Sequence, residues 1–525
     1  MQIDSQQEVG FVTAAKDFLI FLDGLPHVKI NEIVENEKGT RGWVTSLQED
    51  LAEVLLLDPA NPQPGDIFKR THKTLALDVG DFLLGRAINP LGVAIDGKTF
   101  SSKTANSVPI DTQAPSLQAR QFITEQLETG ITLLDTLIPV GKGQRELIIG
   151  DARAGKTNFL INLIVNQGKK GVTCVYAAIG KPSTDVRHII DILESSGALK
   201  HTCIVAAPST ESAPLIFIAP HTAMTIAEYY QKQGKDVLVI LDDLGNHAKI
   251  YREISLLGNK TPGREAYPGD MFYQHAHLLE RAGKFKKEAG GGSITALPVI
   301  ELNLNDFTSY IPTNVMSMTD GHLLFKSSIY NQGQRPAVDI PFSVSRVGRQ
   351  TQPRIVVELA DKLRNILAQA SELETVSRFS AELPEETQII LHQRAQIMEL
   401  FKQEGSFVSR EVQTATLALV LTPFLKDKEY SYIVENKKII AEALEKAPGL
   451  KEFTAKVLTF KDLGTLLKEL NGLTEKLTEV IEKKVEKLTD KVGHPGPDPG
   501  PMTSSSLSEA NIQIDPGSEP GMTTK

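Results

Sequence analysis

Apolar residues recur along this chain with a spacing that changes from segment to segment, and each spacing predicts a different architecture. Over residues 8 to about 78, short apolar runs are broken by turn residues. Phe11-Val12-Thr13, Phe18-Leu19-Ile20-Phe21-Leu22, Gly42-Trp43-Val44 and Glu53-Val54-Leu55-Leu56-Leu57 read as strands, and Asp58-Pro59-Ala60-Asn61-Pro62 as a break. Closely spaced strands with turns between them predict a small β-barrel, taken here as residues 1–78.

From about 79 to 352, strand and helix signals alternate. Val172 to Ile179, His201 to Ala206 and Val237 to Leu241 are strand candidates, and Val186 to Ser196 and Ala223 to Gln233 are helical. That alternation predicts a mostly parallel sheet covered by helices, an α/β domain that binds ligands at the carboxyl ends of its strands. From 353 to 492 the spacing is helical throughout, as in Ile355 to Leu373 and Glu386 to Gln403. Leu466, Leu470, Leu473, Leu477, Ile481, Val485, Leu488 and Val492 form one more stripe. A helix packed on its own domain is favoured over a coiled-coil or partner-binding face, because the run is short. Residues 493–525 carry few large apolar side chains and are expected to form a disordered tail. The fold expected is therefore multidomain α/β: a small N-terminal β-barrel, a central parallel-sheet domain and a C-terminal helical bundle.

Composition narrows the function. With 56 basic against 65 acidic residues the net charge is −9, and there is no long basic run, which argues against a nucleic-acid binder. Cys174 and Cys203 lie in apolar strand-like runs and read as buried free thiols rather than a disulfide or metal site. The opening Met1-Gln2-Ile3-Asp4-Ser5 reads as neither a signal peptide nor an Arg-rich transit peptide. No apolar run approaches the ~20 residues needed to span a bilayer, so membrane contact is expected only through partners.

The chemistry is carried by Gly150-Asp151-Ala152-Arg153-Ala154-Gly155-Lys156-Thr157, which fits G-x-x-x-x-G-K-[ST]. Leu147-Ile148-Ile149 before it reads as a buried strand, and Asn158 to Ile164 after it as a helix. Backbone N–H groups of such a loop, with the helix N-terminus, cradle a polyphosphate. Lys156 would reach the outer phosphates and Thr157 would meet Mg²⁺. Downstream, Val237-Leu238-Val239-Ile240-Leu241 ends in Asp242-Asp243. Asp242, acting through the ion's water shell, is the expected Mg²⁺-side carboxylate and Asp243 the expected helix cap.

Hydrolysis also needs a group to orient water. The natural place is the end of the strand after the loop helix, where the chain reads Ile179-Gly180-Lys181-Pro182-Ser183-Thr184. Lysine and proline cannot serve. Asp185, the nearest acid, reads as a helix-capping residue. The site looks built to bind ATP or ADP and poorly equipped to cleave it.

The run Pro139-Val140-Gly141-Lys142-Gly143-Gln144-Arg145-Glu146 leading into the loop resembles the alpha-subunit family of rotary ATP synthases. So do Pro262 to Asp270, Pro312-Thr313-Asn314-Val315, Thr319-Asp320-Gly321, Arg335-Pro336-Ala337-Val338 and Ser343-Val344-Ser345-Arg346-Val347-Gly348. The resemblance covers most of residues 75 to 410. It implies a non-catalytic nucleotide-binding subunit, alternating with catalytic beta subunits in a three-plus-three ring around a gamma-type shaft. It implies that Arg346 is an arginine finger serving the neighbouring beta site, and that Arg335, Pro336 and Gln403 surround the adenine. Lys181 falls where beta subunits carry Glu and alpha subunits usually Gln. The implied setting is peripheral, on the cytoplasmic face of a bacterial-type plasma membrane, coupled to protons or sodium.

The chain also departs from the family pattern. The family's loop usually reads GDRQTGKT, where this chain has Ala152, Arg153 and Ala154. The amino end does not show the usual helical extension, so peripheral-stalk attachment is expected to be altered. The rival readings are a self-sufficient homohexameric ATPase of the secretion or translocase type, disfavoured by Lys181, and a nucleotide-binding scaffold with no part in turnover, disfavoured by Arg346.

Overall fold

The computed structural model describes residues 8–99, 105–302, 306–377, 384–403, 405, 407–426 and 428–491. The expected C-terminal tail lies outside them. Among the described residues, no helix is long and apolar enough to cross a membrane.

The first unit is a closed antiparallel barrel of β1 (Val9–Lys16), β2 (Leu19–Asp23), β3 (Glu32–Asn36), β4 (Arg41–Leu47), β5 (Leu51–Leu56) and β6 (Ile67–Thr74), ordered β1-β2-β5-β4-β3-β6. β3 and β6 escaped the sequence reading because their polar residues mask the alternation. Val12, Ile20, Leu22, Val34, Val44, Val54 and Phe68 fill the interior. Arg70 on β6 ties together its two neighbouring strands, donating to Glu8 just before β1 at 3.0 Å and to Glu32 at the start of β3 at 2.9 Å. Trp43 faces outward against Phe217 of the next domain, with ring centroids 6.2 Å apart.

The chain then runs through β7 (Ala76–Val79), β8 (Ala87–Ile88), β9 (Asn106–Pro109) and α1 (Thr132–Leu137) into the central domain. Its elements are β10 (Glu146–Asp151), α2 (Lys156–Lys169), β11 (Thr173–Lys181), α3 (Ser183–Ser195), β12 (Thr202–Pro208), α4 (Ala213–Gln231), β13 (Asp236–Asp242) and α5 (Leu244–Leu257). There follow α6 (Met271–Leu279), β14 (Gly283–Lys284), β15 (Ser293–Leu302), α7 (Tyr310–Met318), β16 (Gly321–Phe325), α8 (Ser327–Asn331) and β17 (Val344–Ser345). The strand order is β17-β16-β10-β15-β13-β11-β12-β8, parallel except for β17 and for β14, which pairs with the start of β15. Alternate residues feed two cores, as period-two geometry requires. Ile148, Cys174 and Tyr176 face one, and Leu147, Ile149, Val175 and Ala177 the other. Both cysteines are buried and free, and burial pushes each thiol up to about 12.

The first of these cores continues into a helical region. It comprises α9 (Arg354–Ser377), α10 (Glu385–Phe401), α11 (Arg410–Ala418), α12 (Pro423–Lys426), α13 (Tyr430–Lys446), α14 (Leu450–Lys456), α15 (Leu463–Gly472) and α16 (Thr474–Lys491). The final apolar stripe breaks into α15 and α16. Leu466, Leu470, Leu477 and Ile481 are buried on their own domain, as the favoured reading held. Val485 is partly exposed, and Val492 lies outside the described residues.

Candidate nucleotide site

Strand β10, the glycine loop and α2 follow one another as the motif requires. Two glycines are dictated by space. A Cβ on Gly150 would lie 2.0 Å from the Phe325 carbonyl oxygen. Gly155 opens α2 at φ +85, and a Cβ there would meet the Tyr330 ring at 2.8 Å. Arg153 adopts φ 58, a left-handed conformation unusual for a non-glycine residue, and its side chain stays exposed. Lys156 is buried and donates to the carbonyl oxygens of Gly150 at 2.9 Å and Asp151 at 2.5 Å, so the loop holds its own lysine in place. Burial lowers the lysine's pKa from its ordinary value. The Asp151 carboxylate accepts from the N–H and hydroxyl of Ser327 at 2.8 and 2.9 Å, tying the loop to α8.

Two adjoining cavities meet at the loop. One of about 320 Å³ is faced by Arg153, Lys156, Thr157, Lys181, Asp242 and Glu301. The other, about 490 Å³, is lined by Ala154, Phe159, Tyr330, Arg335, Pro336 and Gln403. Gly155, Asn158 and Tyr330 border both. A polar compartment lined by charged groups of both signs, beside a more apolar one, suits a ligand with a polyphosphate at one end and a planar base at the other. Residues far apart in sequence build the second compartment. Gln403 accepts from the Thr132 N–H at 3.0 Å and hydroxyl at 2.9 Å, and its N–H donates to the Arg335 carbonyl at 2.8 Å. The Arg335 guanidinium stacks 4.0 Å over the Tyr330 ring. The sequence-derived residues Arg335, Pro336 and Gln403 therefore come together with the loop.

Arg346 does not join them. It follows β17 at the sheet's edge, exposed, with its N–H on the Asp320 carbonyl at 2.9 Å. Below it, Ser345 Oγ accepts from Gln144 at 3.0 Å and donates to the Pro139 carbonyl at 2.5 Å. Gln144 also donates to Glu146 at 2.7 Å. Burial pushes the Glu146 carboxyl well above the usual carboxylate range, with Gln144 and the positive charge of Arg346 opposing the shift. Among the described residues nothing ion-pairs with the Arg346 guanidinium.

Residues 130–345 match the profile described as the ATP synthase alpha/beta family, nucleotide-binding domain, and residues 352–488 that of the ATP synthase alpha/beta chain, C terminal domain. The chain is 48% identical over 397 residues to the ATP synthase subunit alpha of Metamycoplasma arthritidis, covering 75% of each. It is 40% identical over 476 residues to that of Mesomycoplasma hyopneumoniae, covering 89% of this chain and 94% of the relative. With that of Caldanaerobacter subterraneus it shares 43% identity over 432 residues, covering 81% and 85%. The chain belongs to the ATP synthase alpha/beta family, on the alpha-subunit side. The barrel, parallel-sheet domain and helical region form the architecture of that family's alpha subunits, and the central domain is its nucleotide-binding domain.

Within this alpha-subunit framework Lys181 takes an unexpected place. Its ammonium lies 3.0 Å from Asp242 Oδ1, and the Tyr176 hydroxyl donates to Asp242 Oδ2 at 2.6 Å. Each oxygen of the expected Mg²⁺-side carboxylate thus already accepts from a donor of the chain itself. Asp243 caps α5 by accepting from the Asn246 N–H at 2.6 Å, as expected. Burial, reinforced by Asp242, pushes its carboxyl up to about 6. Glu301, at the tip of β15, lies 3.6 Å from Lys156. Among the described residues no cluster of three or more metal-ligating side chains occurs. Magnesium, which the family implies, does not fit Asp242 as the sequence reading had it, because an ammonium already stands there. Asp185 is also revised: it lies in the first turn of α3, behind Pro182, and makes no capping bond. Glu301 was missed because its strand is interrupted by Pro298.

Proposed function

We propose that this chain is the non-catalytic, nucleotide-binding subunit of the synthase head. It holds ATP or ADP at residues 150–157 with the base against Arg335, Pro336 and Gln403, and places Arg346 in the catalytic site of an adjacent beta subunit. The observation that carries the first part is Lys181. An ammonium paired with Asp242 occupies the strand end where a water-orienting carboxylate would have to stand, and it can neither accept a proton nor polarise water for attack.

The guanidinium of Arg346, exposed and without an ion-pair partner among the described residues, supports the second part. An arginine supplied from a neighbouring subunit stabilises charge spreading over the transferred phosphoryl group. An alternating ring around a gamma-type shaft gives each such arginine a beta site to serve. Membrane attachment then runs through other subunits, with the head on the cytoplasmic face.

The test is ATP hydrolysis by the full-length chain, alone and after assembly with its cognate beta and gamma subunits. No turnover alone and activity on assembly is the expected result. Robust turnover by the chain alone, as a ring of identical subunits, would overturn the assignment.

A further inference from the structure

We propose that this site takes ATP or ADP as the free polyphosphate, with Lys181 supplying at the tip of β13 the positive charge that a divalent cation would otherwise bring. The inference rests on the nucleotide-binding reading above and adds to it the ionic form of the ligand.

The backbone aims Lys181 at this task. Along β11 the pairing with β12 is regular through Ile179, then skips Gly180 and resumes with Lys181 opposite Pro208. Gly180 sits at φ +63. A bulge of this kind re-aims the following side chain. Here it turns Lys181 toward the phosphate compartment, largely buried, onto Asp242.

The charges facing the compartment are already matched. Asp242 is held by Lys181 and Tyr176, Glu301 lies against Lys156, and Asp243 is occupied as a helix cap. A divalent cation at Asp242 would have to displace an ammonium or sit beside it, and like charges at that separation repel strongly in a partly buried site. Arg153 adds a further cation on the rim of the same cavity. Arg153, Lys156 and Lys181 together can oppose the phosphate oxygens directly. A lysine ammonium suits this, being a compact point charge with several donors.

The experiment is equilibrium dialysis of radiolabelled ATP against the purified full-length chain, in excess EDTA and in excess Mg²⁺. The expected result is affinity that differs by less than about threefold between the two conditions. Lys181→Gln is expected to lose about tenfold or more of its affinity in EDTA and to recover it with Mg²⁺. Binding by the parent chain only in Mg²⁺ would overturn the inference and leave the nucleotide reading intact. Binding by Lys181→Gln that remains indifferent to Mg²⁺ would overturn the role given to Lys181. Failure of the folded parent chain to bind ATP in either condition would overturn both readings.

Discussion

Arg346 and Lys156 lie toward opposite ends of the sheet's strands, Arg346 after β17 and Lys156 beyond the far end of β10. Glu146, at the start of β10, is in register with Gly321, which is in register with Ser345, immediately before Arg346. Lys156 opens the helix that follows the other end of β10. From Glu146 to Gly150 the strand advances ~13 Å at about 3.3 Å per residue. An arginine anchored at the near end is therefore badly placed to serve the phosphates of its own loop, and well placed to face outward from the sheet edge.

This separation makes a divided prediction for Arg346→Ala. Nucleotide affinity of the chain by itself should be unchanged in dialysis. Turnover of the assembled complex should fall by about 10³–10⁵, the range seen for arginine fingers. Arg346→Lys should recover little, since lysine lacks the planar fork of donors. Unaltered turnover would remove the finger role.

Lys156→Gln tests the loop. The lysine is held by the Gly150 and Asp151 carbonyls and reaches a compartment with no other buried ammonium but Lys181 among the described residues. Hydrogen bonds to a charged partner are worth about 1.5–3 kcal/mol, so ATP affinity should drop roughly tenfold to a hundredfold. A smaller change would mean that the loop backbone does nearly all the binding.

The parts of the site legible in the sequence are those built by contiguous residues. The loop, the strand before it and the helix after it are local, and their glycines are needed for backbone reasons that any P-loop shares. The apolar strands ending at Lys181 and Asp242 were likewise legible. β15 was not, because Pro298 argues against a central strand. The sheet tolerates it because Pro298 is the last residue in register with β13 and directly precedes the regular register with β10, which starts at Val299. Pairing across long sequence distance was equally hidden. No local pattern shows that Gln403 will bond Thr132, or that a bulge at Gly180 will turn Lys181 onto Asp242. Resemblance supplied Arg335, Gln403 and Arg346, but it could not supply the Lys181–Asp242 pair, which is a departure from it.

Asp243 gives a pH test. Its folded pKa, about 6, is raised above the ordinary 3.8 by burial and by Asp242, with Asn246, Lys181 and Lys249 opposing. A raised acid contributes stability that is fully present below its unfolded pKa and is lost as pH rises through the folded one. The parent chain should lose this contribution between about pH 4 and 6. Asp243→Asn keeps a good helix cap and does not titrate. In thermal melts without nucleotide it should gain up to about 3 kcal/mol over the parent above pH 6, with the gain shrinking toward zero near pH 4. A gain independent of pH would assign the effect to packing instead.

His247 should act with the opposite sign. It is fully buried, stacked 4.9 Å from the Phe217 ring, with its Nε2 3.1 Å from the Phe217 carbonyl and its Nδ1 3.3 Å from His275 Nε2. Burial pushes it down to about 4, and His221 and His275, buried in the same cluster, are also lowered. A depressed base contributes stability that is present above its unfolded pKa and is lost as pH falls toward the folded one. Acidification from pH 6.5 to 4 should therefore cost the parent chain up to about 3 kcal/mol through His247 alone. His247→Gln keeps a donor for the Phe217 carbonyl and carries no titratable group. Whatever its stability at pH 7.5, its melting temperature should fall less steeply than the parent's across this window. Parallel slopes for the two proteins would show that His247 does not set the acid limit of the fold.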